Sequence, residues 1–440
     1  MTTSEQPQQA AVGSLLLSAL FAVSCAVSAR AQAPCDVFCH SRLADQAAAA
    51  GNYAQYLAHA RNVAAIAPSH PGVAFALTRA FARTGQPDSA IAWLTRLGTM
   101  GDTRDPNADS LLRPLRTRAG YDAARNRLLS NRLPILDGKV AFDIDDPDFI
   151  PEAIAYDSTR QRFIAGSLSK RLIAAVAADG ETSAFIPHTP EMLRVVGIHI
   201  DAPRGRLWFA TWGPDTTFRG TGEPPSLTRL FLAELATGRI VRSWTPDGGK
   251  PSHLLNDFVV MGDGSLFITD TERGTIYRLR SPSDTLEVFV QPAVDRFSTA
   301  NGITSTPDGS TLYIAFLQGI ARVDVATRTV SLLPAPDSVS IASIDGLYWY
   351  RGSLIAVQGI PTLSRVVRYT LSDDGQRVTD GAVLERGLPV LREPTTGVIV
   401  GSRFYYIANA QYGRLPDRGG PPAPQRGTPA RTSVRVIELR

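Results

Sequence analysis

Two different periods of apolar residues divide the chain. Between Ser41 and about residue 132 they recur at three- and four-residue intervals: Tyr53, Tyr56, Leu57, Ala60 and Val63, then Val73, Ala76, Leu77, Ala80 and Phe81, then Ile91, Leu94 and Leu97. That spacing lines one face of a helix. Breakers separate the runs at Ala67-Pro68-Ser69-His70-Pro71 and Gly85-Gln86-Pro87-Asp88. From Lys139 onward the period drops to two. A polar or small residue, a small residue, an alternating apolar strand, a turn and a second apolar strand form one motif. It starts at Glu152, Val196, Asn256, Asn301, Asp345 and Thr396. The turns carry Asp-Gly, Arg-Gly or Gly-Ser, which supply the backbone that tight hairpins need. Roughly four short strands per ~45-residue unit, repeated around a ring, predict a β-propeller. Lys139 to Ile144 and Val434 to Leu439 read as two lone strands that complete one blade from both ends.

The expected fold is therefore mainly β: a six-bladed β-propeller over 139–440, preceded by a short α-helical segment over 40–132. The helical stretch from Gly51 to Leu97 resembles tetratricopeptide repeats. Only about two units are visible where about three are needed to stand alone. The segment is expected to pack on the ring, or to use Leu111, Leu112, Leu115 and Tyr121 as a capping helix. It serves as a docking surface for a protein partner or as a structural brace. The Pro/Gly/Arg-rich stretch 411–432 reads as a long loop of the last blade.

Residues 11–29 are almost free of charge, and their apolar heart, Leu15 to Val27, is shorter than the ~20 residues of a spanning helix. Ala31-Gln32-Ala33 follows as a cleavage pattern. Residues 1–33 therefore read as a secretory signal peptide, atypical in lacking Lys and Arg among the first ten residues. This implies a periplasmic or secreted protein with no stable membrane span after cleavage. Cys25 lies inside the apolar stretch. Cys35 and Cys39 follow the cleavage point, and an oxidising compartment permits them to pair. As metal ligands they are too few, even with His40. No cysteine lies beyond residue 39, which excludes a thiol nucleophile in the ring.

Composition changes this picture little. The 440 residues carry 45 Lys+Arg against 41 Asp+Glu, and that weak bias gives no basic face for a nucleic-acid partner. No nucleophile elbow, phosphate loop, nucleotide fingerprint or H-E-x-x-H is present.

The chemistry lies at the repeat starts. In a propeller the residue opening each innermost strand faces the channel mouth. Four of the six openers, Glu152, Asn256, Asn301 and Asp345, bear oxygen acceptors suited to Ca2+ or another hard divalent cation. Zinc would require His or Cys, and neither opens a repeat. Converging carboxylates repel unless a cation stands between them. The bland alternative for each opener is a turn residue before a strand.

The segments PEAIAYD, LLNDFVVMGDGSLFITDT, ANGITSTPDGSTLYIAF and DGLYWYRGSLIAV resemble the senescence marker protein/gluconolactonase (regucalcin-like) family. The more distant diisopropyl fluorophosphatases and paraoxonases share that architecture. The resemblance covers about 139–440. It implies a calcium site held by Glu152, Asn256, Asn301 and Asp345, and hydrolysis of a small-molecule lactone or ester with Asp345 as general base or nucleophile. In the family's sugar lactonases an arginine two residues before the Asn-Asp pair grips substrate hydroxyls; here that position is Leu254. His253 beside it is a candidate proton carrier, the alternative being an exposed loop histidine. Trp212 and Phe218, in the insertion 212–227, are candidate substrate contacts if that insertion forms a lid. Otherwise they pack under their own loop. His199 faces either the channel or the next blade, and His188 lies between the first two repeats. A non-catalytic propeller that binds a ligand or protein partner is the alternative function.

Overall fold

The computed structural model describes residues 35–215, 225–249, 252–292, 297–415 and 430–440. Residues 1–33, expected to be a signal peptide, with Cys25, Phe218, most of the insertion 212–227 and most of the loop 411–432, lie outside the described residues.

The breakers of the first region become helix caps. Helix α1 (Val37–Ala49) is capped by Asp36, whose carboxylate accepts from the Cys39 N–H. Cys39 is also disulfide-bonded to Cys35. Asn52 caps α2 (Tyr53–Ile66) in the same way. Helix α3 (Pro71–Arg83) begins at a proline, which suits a first helical turn because the missing N–H has no partner there. His70 is its N-cap, and its ring nitrogen accepts from the Gly72 N–H. Helix α4 (Pro87–Thr99) also starts at a proline. The expected capping helix divides in two: Leu111, Leu112 and Leu115 lie in a 3-10 turn broken by Pro114, and Tyr121 opens α5 (Tyr121–Ser130). The apolar faces meet in one core, where Leu77, Ala80, Ala90, Leu94, Leu97 and Leu128 are fully enclosed.

The ring consists of six sheets. Its innermost strands are Pro151–Asp157, Arg194–Asp201, Leu255–Val260, Ile303–Ser305, Ile344–Tyr350 and Gly397–Val400, for blades one to six. These first strands touch one another in succession around the axis. Blade six is assembled from both ends of the ring: Gly138–Asp143 pairs antiparallel with Ser433–Glu438, with Gly138 opposite Ile437. Blade five gains a short outer strand, Ile135–Leu136. Between blades, apolar side chains interlock as in Phe163, whose ring meets those of Phe142 and Tyr405. Covering both faces of every sheet removes a large apolar area from water, the dominant favourable contribution to folding.

From Cys35 to Arg440 the chain is one compact unit. The helical segment sits on blades four and five. Ser340 donates to the Ser69 carbonyl at 2.9 Å, Thr103 N–H donates to the Thr362 carbonyl at 3.2 Å, and Arg386 donates to the Asn131 amide oxygen at 3.1 Å. Leu317, in the turn after the second strand of blade four, packs into the helical core. In an antiparallel blade the start of the first strand and the end of the second lie on one face. The helices therefore cover the face onto which the repeat openers open.

Candidate metal centre at the channel mouth

The openers do not sit in regular ladders. The register shifts between Pro151 and Ala153, between Val195 and Gly197, between Leu255 and Phe258, and between Ile344 and Leu347. Each shift falls on an opener: Glu152, Val196, Asn256 with Asp257, and Asp345 with Gly346. A bulge frees one residue from the ladder and re-aims its side chain. The glycine after an opener has a different role from the hairpin turn its sequence evokes. A Cβ on Gly302 would stand 2.5 Å from the Asp345 carbonyl oxygen, so only glycine lets the inner strands of blades four and five meet beside Asn301.

Glu152, Asn301 and Asp345 come together at the mouth. Glu152 is buried and accepts a hydrogen bond from the Tyr412 hydroxyl. Burial pushes its carboxyl well above the ordinary carboxylate range, and the nearby charges of Asp345 and Asp257 push it further. Asp345 is pushed up to about 6 by burial, and a hydrogen bond from Asn301 opposes that rise. Asp257 is pushed up to about 7, again chiefly by burial, although the N–H groups of Phe258 and Ile303 hold its oxygens. Asn256 stands one step aside. Its amide N–H donates to Thr271 Oγ1 at 3.0 Å, and Thr271 donates to the Ala300 carbonyl at 2.6 Å, next to Asn301. That relay fixes the amide and leaves its oxygen as an acceptor.

The other two openers close the ring instead. Val196 is apolar, and the Thr396 hydroxyl donates to the Glu152 carbonyl at 2.6 Å across the seam of blades six and one. His253 lies inside blade three, fully enclosed, with Nδ1 at 2.5 Å from Asp270. It is not an exposed loop histidine, and it does not line the mouth cavity. Asp270 also accepts from the Leu254 N–H at 3.0 Å, so this pair stiffens the loop that enters Asn256. Trp212 packs on the apolar cluster of blades two and three, with the Arg194 guanidinium 5.8 Å above its ring. It too is absent from the mouth. His199 lines the channel itself, a cavity of about 340 Å³ that also holds Asp257 and Tyr348; burial lowers His199 to about 4.

The mouth is a cavity of about 280 Å³ lined by Asn301, Asp345, Tyr412, Leu317, Ser343 and His70 among others. Tyr412, Asp257 and His70 were not singled out as site residues from sequence. Among the described residues, no three His, Cys, Asp or Glu side chains cluster as a ligand group. The set here is mixed, two carboxylates and two amides, with a third carboxylate in the channel. Among the described residues, no arginine or lysine acts on Glu152, Asp257 or Asp345. All-oxygen donors with uncompensated buried carboxylates fit a hard divalent cation.

No protein-family model matches the chain, and no curated protein matches it. Similar solved structures include a calcium-binding protein, regucalcin, from Agrobacterium tumefaciens (17% identity, 68% of this chain and 96% of that one, TM-score 0.44). A virginiamycin B lyase from Staphylococcus aureus has 14% identity over 68% of this chain and 97% of that one, with TM-score 0.42. A luciferin-regenerating enzyme has 11% identity over 68% of this chain and 95% of that one, with TM-score 0.45. These are likenesses of chain path, and the chemistry of the site follows from its own residues.

Proposed function

We propose that the protein is an exported, calcium-dependent hydrolase of a small-molecule lactone or ester, acting at the mouth of the propeller channel. The observation that carries this reading is the buried, uncompensated pair Glu152 and Asp345 beside two fixed amides. Glu152, Asn256, Asn301 and Asp345 would hold the ion. When bound, a divalent cation supplies Lewis-acid polarisation of a carbonyl group.

The chain's own residues do the rest. Asp345 is the general base: a carboxylate oxygen not engaged by the ion would stand at the mouth cavity, within reach of a water molecule. It takes a proton from water as the water oxygen bonds to the carbonyl carbon. The bond from that carbon to the ester or ring oxygen then breaks, and the proton passes to the departing alkoxide, giving an acid and an alcohol. Asn301 orients Asp345, and Tyr412 orients Glu152. Leu254 leaves the mouth without the guanidinium that grips sugar hydroxyls in the family resembled. Export is supported by the Cys35–Cys39 disulfide, a bond of oxidising compartments, directly after the A-x-A pattern. Among the described residues no helix is long and apolar enough to cross a membrane.

The test is a panel of lactones and aryl esters assayed with calcium and with chelator, alongside the metal content of the purified protein. Turnover that chelator abolishes and calcium restores is the expected result. A folded protein that binds calcium and leaves the whole panel intact would not be this hydrolase.

A further inference from the structure

A second cavity adjoins the mouth. It measures about 260 Å³ and lies between α1, α2, α3 and blade four. Its walls are mostly apolar, with Val37, Tyr56, Ala60, Val63, Val73 and Ala76, while Ser41 and the exposed Asp45 also line it. Two residues line both this cavity and the mouth: His70 and Leu317. Either cavity alone is slightly smaller than the ~300–1,000 Å³ of ordinary small-molecule sites, and the two together fall within it.

His70 Nδ1 accepts from the Gly72 N–H at 3.1 Å, which assigns the ring proton to Nε2. Nε2 lies 3.2 Å from Ser343 Oγ and donates to it. Both nitrogens are therefore engaged within the protein, and the imidazole presents a carbon edge beside the Leu317 side chain. On the mouth side, Phe316, Ile344, Ile360 and Pro394 continue the apolar wall up to Asp345. The gradient runs from carboxylates and amides on the axis to hydrocarbon between the helices.

We propose that the substrate is an amphiphile. Its carbonyl head sits at Asp345 and Asn301, and an unbranched apolar chain passes His70 and Leu317 into the cavity of α1, α2 and α3. This rests on the hydrolase reading for the head group alone. The helical segment is then the chain-binding half of the site, which explains why it covers this face of the ring.

The experiment uses the full-length protein and a series of γ-lactones whose side chain grows from methyl to nonyl. Binding is read by calorimetry on chelator-treated protein, in which the proposed hydrolysis does not consume the lactone. Affinity is expected to rise with chain length until the cavity is filled, by up to about four-fold per methylene. In Ala76→Phe, which fills the cavity, and in Leu317→Trp, which narrows the junction, the ratio of nonyl to methyl affinity should collapse. That ratio is independent of how much of each preparation is active. An affinity that is flat with chain length, or no binding across the series, overturns the inference; so does a ratio that both variants leave unchanged. Calcium binding, measured separately on the same samples, reads the hydrolase proposal. A chain-length dependence in protein that binds no calcium would sink the metal reading and leave the apolar cavity assigned.

Discussion

The ring and the helical segment bury their apolar residues by different logic. The ring repeats one motif, and every blade leans on two neighbours, so each strand is stabilised by a geometry that its sequence period announces. The helices have no such symmetry. Their core is completed by Leu317, a residue of the ring, and their polar contacts reach Ser340, Thr362 and Arg386. The ring therefore holds charge on its axis, while the helices supply shape and dryness above it. The proposed site draws on both regions, and neither alone would point to it.

The comparison is broken most severely at the axis. Asp345→Asn should abolish calcium binding and, with it, the calcium-dependent hydrolysis, a loss of at least the roughly 10²- to 10⁴-fold that goes with a general base alone. Metal analysis and kcat/KM check it, and retained calcium would remove Asp345 from the ligand set. Next comes the helical core. Leu77→Ala should cost about 2–5 kcal/mol as a cavity opens around a fully enclosed side chain. Scanning calorimetry should still show one transition, because the two regions share a core; two separate transitions would show that they fold independently. Smaller is the tie between α5 and blade five. Asn131 donates to the Gly98 and Asp102 carbonyls at 2.8 and 2.9 Å and accepts from Arg386, so Asn131→Ala should cost about 1–3 kcal/mol in urea unfolding.

The most gradual effect is a pH slope from His70. Burial lowers it to about 4, with the Arg104 charge adding to the effect; Ser343 and Asp345 face the same cavity. Between about pH 6.5 and 4 the unfolded chain binds a proton that the folded protein refuses. Stability from this group is full above pH 6.5 and is lost as pH falls to about 4, at no more than about 1.4 kcal/mol per pH unit. His70→Asn should lose less stability than the parent as pH falls from about 6.5 to about 4, read as the difference between the two profiles so that Glu152, Asp257, Asp345 and His199 cancel; a difference that stays constant across this window would remove His70 as a source.

The six-bladed architecture was legible because strand alternation and turn residues are local signals that recur. Closure of the last blade was legible for the same reason, since each terminal strand alternates by itself. The bulges were not, because a register shift depends on the partner strand. Tyr412 was hidden in a stretch whose prolines and glycines read as loop, and its partner Glu152 lies at the far end of the ring sequence. His70 stood among helix breakers, and its place at the mouth follows only from how α3 docks on blades four and five. The Asn-Gly and Asp-Gly pairs were visible as motifs, but their reason is close approach between inner strands rather than a turn. In the sequence His253 stands out only by its position beside Leu254, while its burial against Asp270 is a tertiary fact.

The pairing of Gly138–Asp143 with Ser433–Glu438 has a kinetic consequence. Four blades form wholly from neighbouring stretches of chain, and the fifth needs the distant Ile135–Leu136 only as a short outer strand, whereas the sixth waits for two ends separated by nearly the whole ring. Bringing them together costs loop entropy before any contact offsets it, so this blade is expected to form last and to limit the folding rate. The same seam is where the ring opens first. Amide protons of residues 433–438 should then exchange through a partial opening that leaves blades two to four intact, and pulling on the two ends should peel the circle from this seam.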